Sequence, residues 1–227
     1  SSTCSPPGIE ISMAIILEHR RLPAPTTAKR TLVFMHGLGD SLAGWSFLPD
    51  ALDLPWLEVV LVQAPIPYGP GWAWYDLDPS LRSTPKTKID IAESRDRVSE
   101  LLVHLGLEPS KTFLGGFSQG AVMALETGLR SDETFAGLLP ISGYVPLIEE
   151  YPAAFGEAIA NQRILATHGH WDQVIPHAFA QAQMTELSRR GAPLEFESFD
   201  KAHDIEIHDE MDRIRSWISE GVQGVQP

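Results

Sequence analysis

Three observations predict an α/β fold with a mostly parallel sheet and helices on both faces. Short all-apolar runs such as Thr31 to Met35 read as strands buried on both sides. Amphipathic stretches of helical period lie between them, as strand-helix alternation requires. Between Thr112–Gly115 and Ala121–Arg130 sits Gly116-Phe117-Ser118-Gln119-Gly120, a serine flanked by glycines where a strand passes into a helix.

A chain of 227 residues can hold one sizeable α/β core and is short for two. No linker, repeat or low-complexity tract divides it, so residues 1–227 read as one domain, with 1–8 as a mobile N-terminal tail. A net charge of -13 repels nucleic acid and anionic membrane surfaces, which favours soluble partners. The longest apolar runs, Ala14 to Leu17 and Val59 to Val62, are far shorter than the roughly 20 residues of a spanning helix, which argues against stable membrane insertion. The N-terminal stretch has neither the charged nor the apolar region of a signal peptide. Cys4 is the single cysteine and has no internal partner, so a reduced, cytoplasmic setting fits.

Taken in order, Glu10 to His19 alternates and stops before Pro23 and Pro25, as an edge strand entering a turn does. Thr31 to Met35 ends in the glycine-bearing loop His36-Gly37-Leu38-Gly39-Asp40, and Glu58 to Val62 is a second buried strand. A proline-rich, irregular segment follows from Ala64 to Pro85 and carries Trp72, Trp74 and Tyr75. Irregular segments longer than about 12 to 15 residues are usually functional, so these three aromatic residues are candidates to line a substrate groove. Thr87 and Asp90 have capping-box spacing for a helix that carries Ile91, Val98, Leu101, Leu102 and Leu105 on one face. Past the Ser118 turn, Phe135–Ile141, Arg163–Thr167 and Leu194–Phe199 read as strands, with helices after Pro176 and around Ile207, Met211, Ile214 and Ile218. Gly143 to Gln162 is too short to build a large cap domain.

A serine in such a turn needs a base and a carboxylate to orient that base. Catalytic groups of parallel sheets lie past the C-terminal ends of strands. His203 is the first histidine after Leu194–Phe199, whereas His208 falls in the last helix and His177 at the start of another. Asp172, after Arg163–Thr167, is the leading carboxylate, because Asp200 and Asp204 lie too near His203 in sequence to reach its far ring nitrogen easily. Backbone N–H groups of Gln119 and Leu38 are the candidate donors for an oxyanion. His168, His170 and Asp172 suggest a metal only weakly, since alternate residues of a strand alone would converge, and the chemistry needs no metal or cofactor.

The motifs His36-Gly-Leu-Gly-Asp40, Ala64-Pro65 with Trp74-Tyr75-Asp76, Gly116-Phe-Ser-Gln-Gly120, His168-Gly169 with Asp172-Gln-Val-Ile-Pro176, and His203 stand in one order across most of the chain. Together they resemble the phospholipase/carboxylesterase family of α/β-hydrolases, which includes acyl-protein thioesterases. The resemblance implies a compact α/β-hydrolase fold without a large cap, with Ser118, Asp172 and His203 as triad and Leu38 and Gln119 as oxyanion donors. Departures from the family pattern are Ala202 and Asp204 around the histidine, Tyr75 where phenylalanine is more usual, and Ser-Leu-Ala-Gly44-Trp45 after the first motif.

The expected activity is a serine carboxylesterase of small to medium acyl esters that works through an acyl-enzyme on Ser118. The alternatives are a lysophospholipase or acyl-protein thioesterase with a long acyl preference, and a non-catalytic binding protein of the same fold. The expected partner is a small or protein-borne acyl ester or thioester, and a homodimer is compatible with the sequence.

Overall fold

The computed structural model describes residues 15–223. Cys4, the tail at 1–8 and the first part of the expected strand at Glu10–His19 lie outside the described residues. The first strand among the described residues, β1, runs His19–Leu22, beginning where the alternation at 10–19 had predicted an end. It pairs antiparallel with β3 (Leu57–Val62), which pairs parallel with β2 (Arg30–Met35). Then follow β6 (Thr112–Phe117), β7 (Gly137–Ile141), β8 (Ile164–Gly169) and β9 (Leu194–Phe199), all parallel, giving the sheet order β1-β3-β2-β6-β7-β8-β9.

The apolar runs alternate between two cores, which is why they carry no polar face. Val33, Met35, Val60 and Val62 point to one side, and Leu32, Phe34, Val59 and Leu61 to the other. On the first side pack α2 (Pro85–His104), α3 (Gln119–Leu129) and α5 (His177–Arg189). On the second pack α1 (Leu48–Leu52) and α6 (Asp209–Gln223). Met211, Ile214, Trp217 and Ile218 form the buried stripe of α6, and each such side chain contributes about 1.5 to 3 kcal/mol by leaving water. Between β7 and β8 the only helices are a single 3-10 turn and α4 (Glu157–Ala160), so the described residues hold no large cap.

Further boundaries differ from those read in the sequence. Helix α2 starts at Pro85, not at Thr87: Thr84 caps it by accepting the Thr87 N–H at 3.1 Å, and Pro85 stands at the first turn, where a missing N–H costs nothing. Asp90 instead accepts the N–H of Asp76 and pairs with Lys86. The segment after Ala64 is not wholly irregular, since Ile66–Tyr68 (β4) and Gly71–Ala73 (β5) form a hairpin across Gly69 and Pro70. At the C-terminal end, Ile207 is 60% exposed and His208 precedes α6, with its carbonyl accepting the Asp212 N–H. Among the described residues no helix is long and apolar enough to cross a membrane.

Candidate active site

The C-terminal ends of β2, β6, β8 and β9 bring their loops together over Ser118. That residue sits between β6 and α3 with φ 55° and ψ -114°, a backbone conformation that costs on the order of 1 to 3 kcal/mol. The flanking glycines make it attainable. A Cβ on Gly116 would lie 2.3 Å from the Gly120 backbone, and one on Gly120 would lie 1.9 Å from the Met35 carbonyl oxygen. The Ser118 N–H donates to the Ile141 carbonyl at 2.9 Å, which ties the turn to the end of β7.

His203 Nε2 lies 2.9 Å from Ser118 Oγ, and His203 Nδ1 lies 2.7 Å from Asp172 Oδ2. The structure therefore joins the three residues expected from chain order into one hydrogen-bonded series. Asp172 is held by its second oxygen, which accepts the N–H groups of Val174 and Ile175 at 2.9 and 2.8 Å. Burial pushes its pKa up, but the His203 bond, the Ile175 N–H and the nearby His203 and His168 rings outweigh this and leave it below the ordinary carboxylate value. The carboxylate is thus an acceptor suited to steady an imidazole. Phe117 packs beside the His203 ring with centroids 5.0 Å apart.

On the other side, Leu38 and Gln119 line the same pocket as Ser118. Among the described residues neither backbone N–H has an internal acceptor, and that of Gln119 opens helix α3. The loop of Leu38 is fixed through His36, whose Nδ1 donates to the Gly37 carbonyl at 2.7 Å. Its Nε2 then accepts from the Ala64 N–H and the Gln63 side-chain amide at 3.1 and 3.0 Å. This pattern requires a neutral ring. Burial lowers its pKa, against the opposing effects of the Gly37 carbonyl and Asp40.

The β4–β5 hairpin braces that loop from outside. Gly39 N–H donates to Trp72 O at 2.8 Å and Trp72 N–H to Asp40 O at 3.0 Å. Such close approach demands Gly71, where a Cβ would stand 2.0 Å from the Gly39 carbonyl. A glycine following Gly69 and Pro70 is the one sequence signal that marks this contact.

The pocket measures about 210 Å³, and its apolar wall is made by Leu77, Leu81, Tyr144, Val174 and Ile175 with Tyr75. Here the expectation for the three aromatic residues is corrected. Tyr75 lines the pocket, but Trp72 and Trp74 do not. Trp74 is fully buried beneath the site, its Nε1–H donating to the His36 carbonyl and its N–H to the Gln119 side chain. Gln119 in turn donates to the Tyr75 carbonyl, so its side chain frames the site.

His168 was not expected to take part, since it reads as the start of a loop. It is the fifth residue of β8 and fully buried, its Nε2 donating to Ile175 O at 2.9 Å and standing 3.3 Å from Asp172 Oδ2. His170, by contrast, is exposed and faces His177, with ring centroids 5.3 Å apart.

Comparison with known proteins identifies the family. The Phospholipase/Carboxylesterase family model matches residues 22–221. Acyl-protein thioesterase 1 of Schizosaccharomyces pombe is 29% identical over 167 residues, covering 69% of this chain and 75% of the relative. Its Yarrowia lipolytica namesake is 30% identical over 169 residues, covering 68% and 74%. Among solved structures, esterase PE8 superposes with a TM-score of 0.78 at 28% identity, over 91% of this chain and 99% of that one. Acyl-protein thioesterase 2 of Zea mays, at 23% identity, shares the fold with a TM-score of 0.76 over 91% and 99%. The protein is a member of the phospholipase/carboxylesterase family of α/β-hydrolases.

Proposed function

We propose that this serine hydrolase cleaves carboxylic esters of small to medium acyl groups, with Ser118 as nucleophile, His203 as base and Asp172 as its orienting carboxylate. The reading rests on one observation, the series Ser118 Oγ to His203 Nε2 to Asp172 at 2.9 and 2.7 Å beside two N–H groups that have no acceptor among the described residues. His203 takes the Ser118 proton as Oγ bonds to the acyl carbon, and the N–H groups of Leu38 and Gln119 stabilise the oxyanion. The bond to the leaving oxygen or sulfur then breaks as His203 returns the proton to it. Water attacks the acyl-enzyme, again with His203 as base, releasing the acid and restoring Ser118. No cofactor enters these steps.

The preference for shorter acyl groups is supported by the pocket volume of about 210 Å³, below the roughly 300 to 1,000 Å³ of most ligand sites. The second reading, an acyl-protein thioesterase, is favoured by the names of the relatives and by the exposed Val174 at the rim, which leaves the mouth open to an acyl group carried on a protein. The lone Cys4 and the acidic surface favour a cytoplasmic setting and a soluble or protein-borne substrate over nucleic acid. A series of p-nitrophenyl esters and acyl-CoA thioesters tests the choice. Acetate and butyrate should be turned over faster than palmitate, and kcat/KM rising steadily to palmitoyl thioester would overturn the short-chain reading in favour of the second.

A further inference from the structure

Beneath the loop that carries His203 lies a buried ion pair that the reaction as described does not use. Lys201 and Glu210 are 2% and 0% exposed in their side chains, with Nζ and Oε1 2.7 Å apart. Lys201 Nζ donates also to Ser142 Oγ at 3.0 Å and to the Asp204 carbonyl at 2.8 Å, so all three of its protons are placed. Glu210 spends its other oxygen on the Glu206 N–H at 2.9 Å. Removing two such groups from water is costly, and a buried pair rarely improves stability over apolar residues of similar volume. A contribution of another kind is therefore worth seeking.

The positions that the ammonium joins supply it. Asp204 is the neighbour of His203 in the chain. Ser142 follows Ile141, whose carbonyl holds the Ser118 N–H, and it sits in the left-handed region with φ 51°. The Lys201 backbone carbonyl accepts the Trp171 N–H at 3.0 Å, next to Asp172, and Gly169 must lack a Cβ because the Lys201 and Ala202 carbonyls would lie 2.4 Å from it. One residue thus binds the loops behind all three members of the Ser118–His203–Asp172 series. The charged groups whose fields act on its ammonium are Glu210, Asp204 and Asp172, and the His168 ring stands 3.3 Å from the Asp172 carboxylate.

We propose that Lys201 is a positioning residue for ester hydrolysis: anchored by Glu210 and Ser142, its ammonium holds the Asp204 carbonyl and so fixes the adjacent His203 imidazole between Ser118 and Asp172. The proposal rests on the reading of His203 as base.

Two variants test it. Lys201→Met with Glu210→Gln removes both charges together, which leaves no unpaired ion in the core. Ser142→Gly removes one anchor and at the same time suits the φ of 51°, so this chain should fold at least as well as wild type. On p-nitrophenyl acetate the double variant should lose about 10- to 100-fold in kcat, the scale of a small misplacement of a catalytic group. Ser142→Gly should lose about fivefold, the equivalent of one hydrogen bond. KM should stay within about threefold in both, since substrate contacts are untouched. The low-field proton resonance of the His203–Asp172 hydrogen bond should broaden or vanish in the double variant. An unchanged kcat in Ser142→Gly, or a slower double variant that retains the resonance unaltered, would overturn the proposal. Ser118→Ala and His203→Ala run beside them: wild-type rates there would sink the active-site reading itself, whereas inactive controls with full activity in the Lys201 and Ser142 variants would sink this inference alone.

Discussion

The loop after β2 and the loops after β8 and β9 approach Ser118 from opposite sides, and they are bonded internally in different ways. On the first side the links of His36 and of the hairpin are neutral: His36 to Gly37, Gln63 and Ala64, Trp74 to the His36 carbonyl, and the β4–β5 hairpin to Gly39 and Asp40 by backbone pairs; the one charge there, the Asp40 carboxylate, accepts the Ser41 N–H and the Trp45 indole N–H. On the second side the links are ionic or charge-assisted: Asp172 with His203 and His168, and Lys201 with Glu210. The division follows the chemistry. A developing oxyanion needs fixed dipoles with no mobile proton nearby, while proton transfer needs a base steadied by a carboxylate. The neutral side should therefore fail through loss of shape, and the charged side through loss of rate.

The largest effect is expected on the charged side. Asp172→Asn should lower kcat by about 10⁴-fold in a chain that still folds, because the His203 ring loses the acceptor that sets its tautomer. Residual rates within about tenfold of wild type would remove Asp172 from the account. Next comes the turn that the two sides share. Gly120→Ala forces a Cβ onto the Met35 carbonyl oxygen, and chemical denaturation should register a loss of about 3 kcal/mol or more. A neutral result would mean that β2 can move away from α3.

A smaller change isolates the neutral side. Gln63→Leu takes one donor from His36 Nε2 and the acceptor from the Leu42 N–H, so calorimetry should show a Tm lower by about 4 to 8 °C, with kcat per folded molecule little changed. The smallest effect is in pH dependence. His36 and His168 both have pKa values lowered by burial, so the unfolded chain binds protons that the folded chain refuses. Stability should fall as pH drops below about 6.5, the ordinary histidine value, and level off below the folded-state values. Asp172, with its pKa depressed, adds a further loss only below about 3.9. Comparing Tm at neutral and mildly acidic pH, His36→Gln should show a shallower decline than wild type, and an identical slope would contradict the neutral-ring assignment.

How much of this could be read from the chain depends on how local each signal is. Ser118, Asp172 and His203 could be picked out because a parallel sheet forces reactive loops to the same end of every strand, and each loop carries few candidates. Trp74 could not, since an aromatic residue in a proline-rich loop reads alike whether it faces substrate or the underside of the site. Its orientation is decided by the His36 carbonyl 38 residues away. The capping-box spacing of Thr87 and Asp90 put the start of α2 too late, whereas Pro85, suited to a first helical turn, marks the earlier cap at Thr84. Lys201 reads as a solvated loop lysine, because its burial depends on Glu210 reaching it from the first turn of α6. The hairpin at 66–73 was hidden by Pro67, the middle residue of β4, and by Pro70 in its turn.

The account depends most on Ser118 being a nucleophile activated by His203. Fluorophosphonate labelling followed by mass spectrometry of the peptides tests this directly, on wild type and on His203→Ala. One adduct per chain, located on Ser118 and formed far more slowly in His203→Ala, is the expected result. Folded protein that stays unlabelled, or labels on another residue at the same rate in both chains, would contradict it.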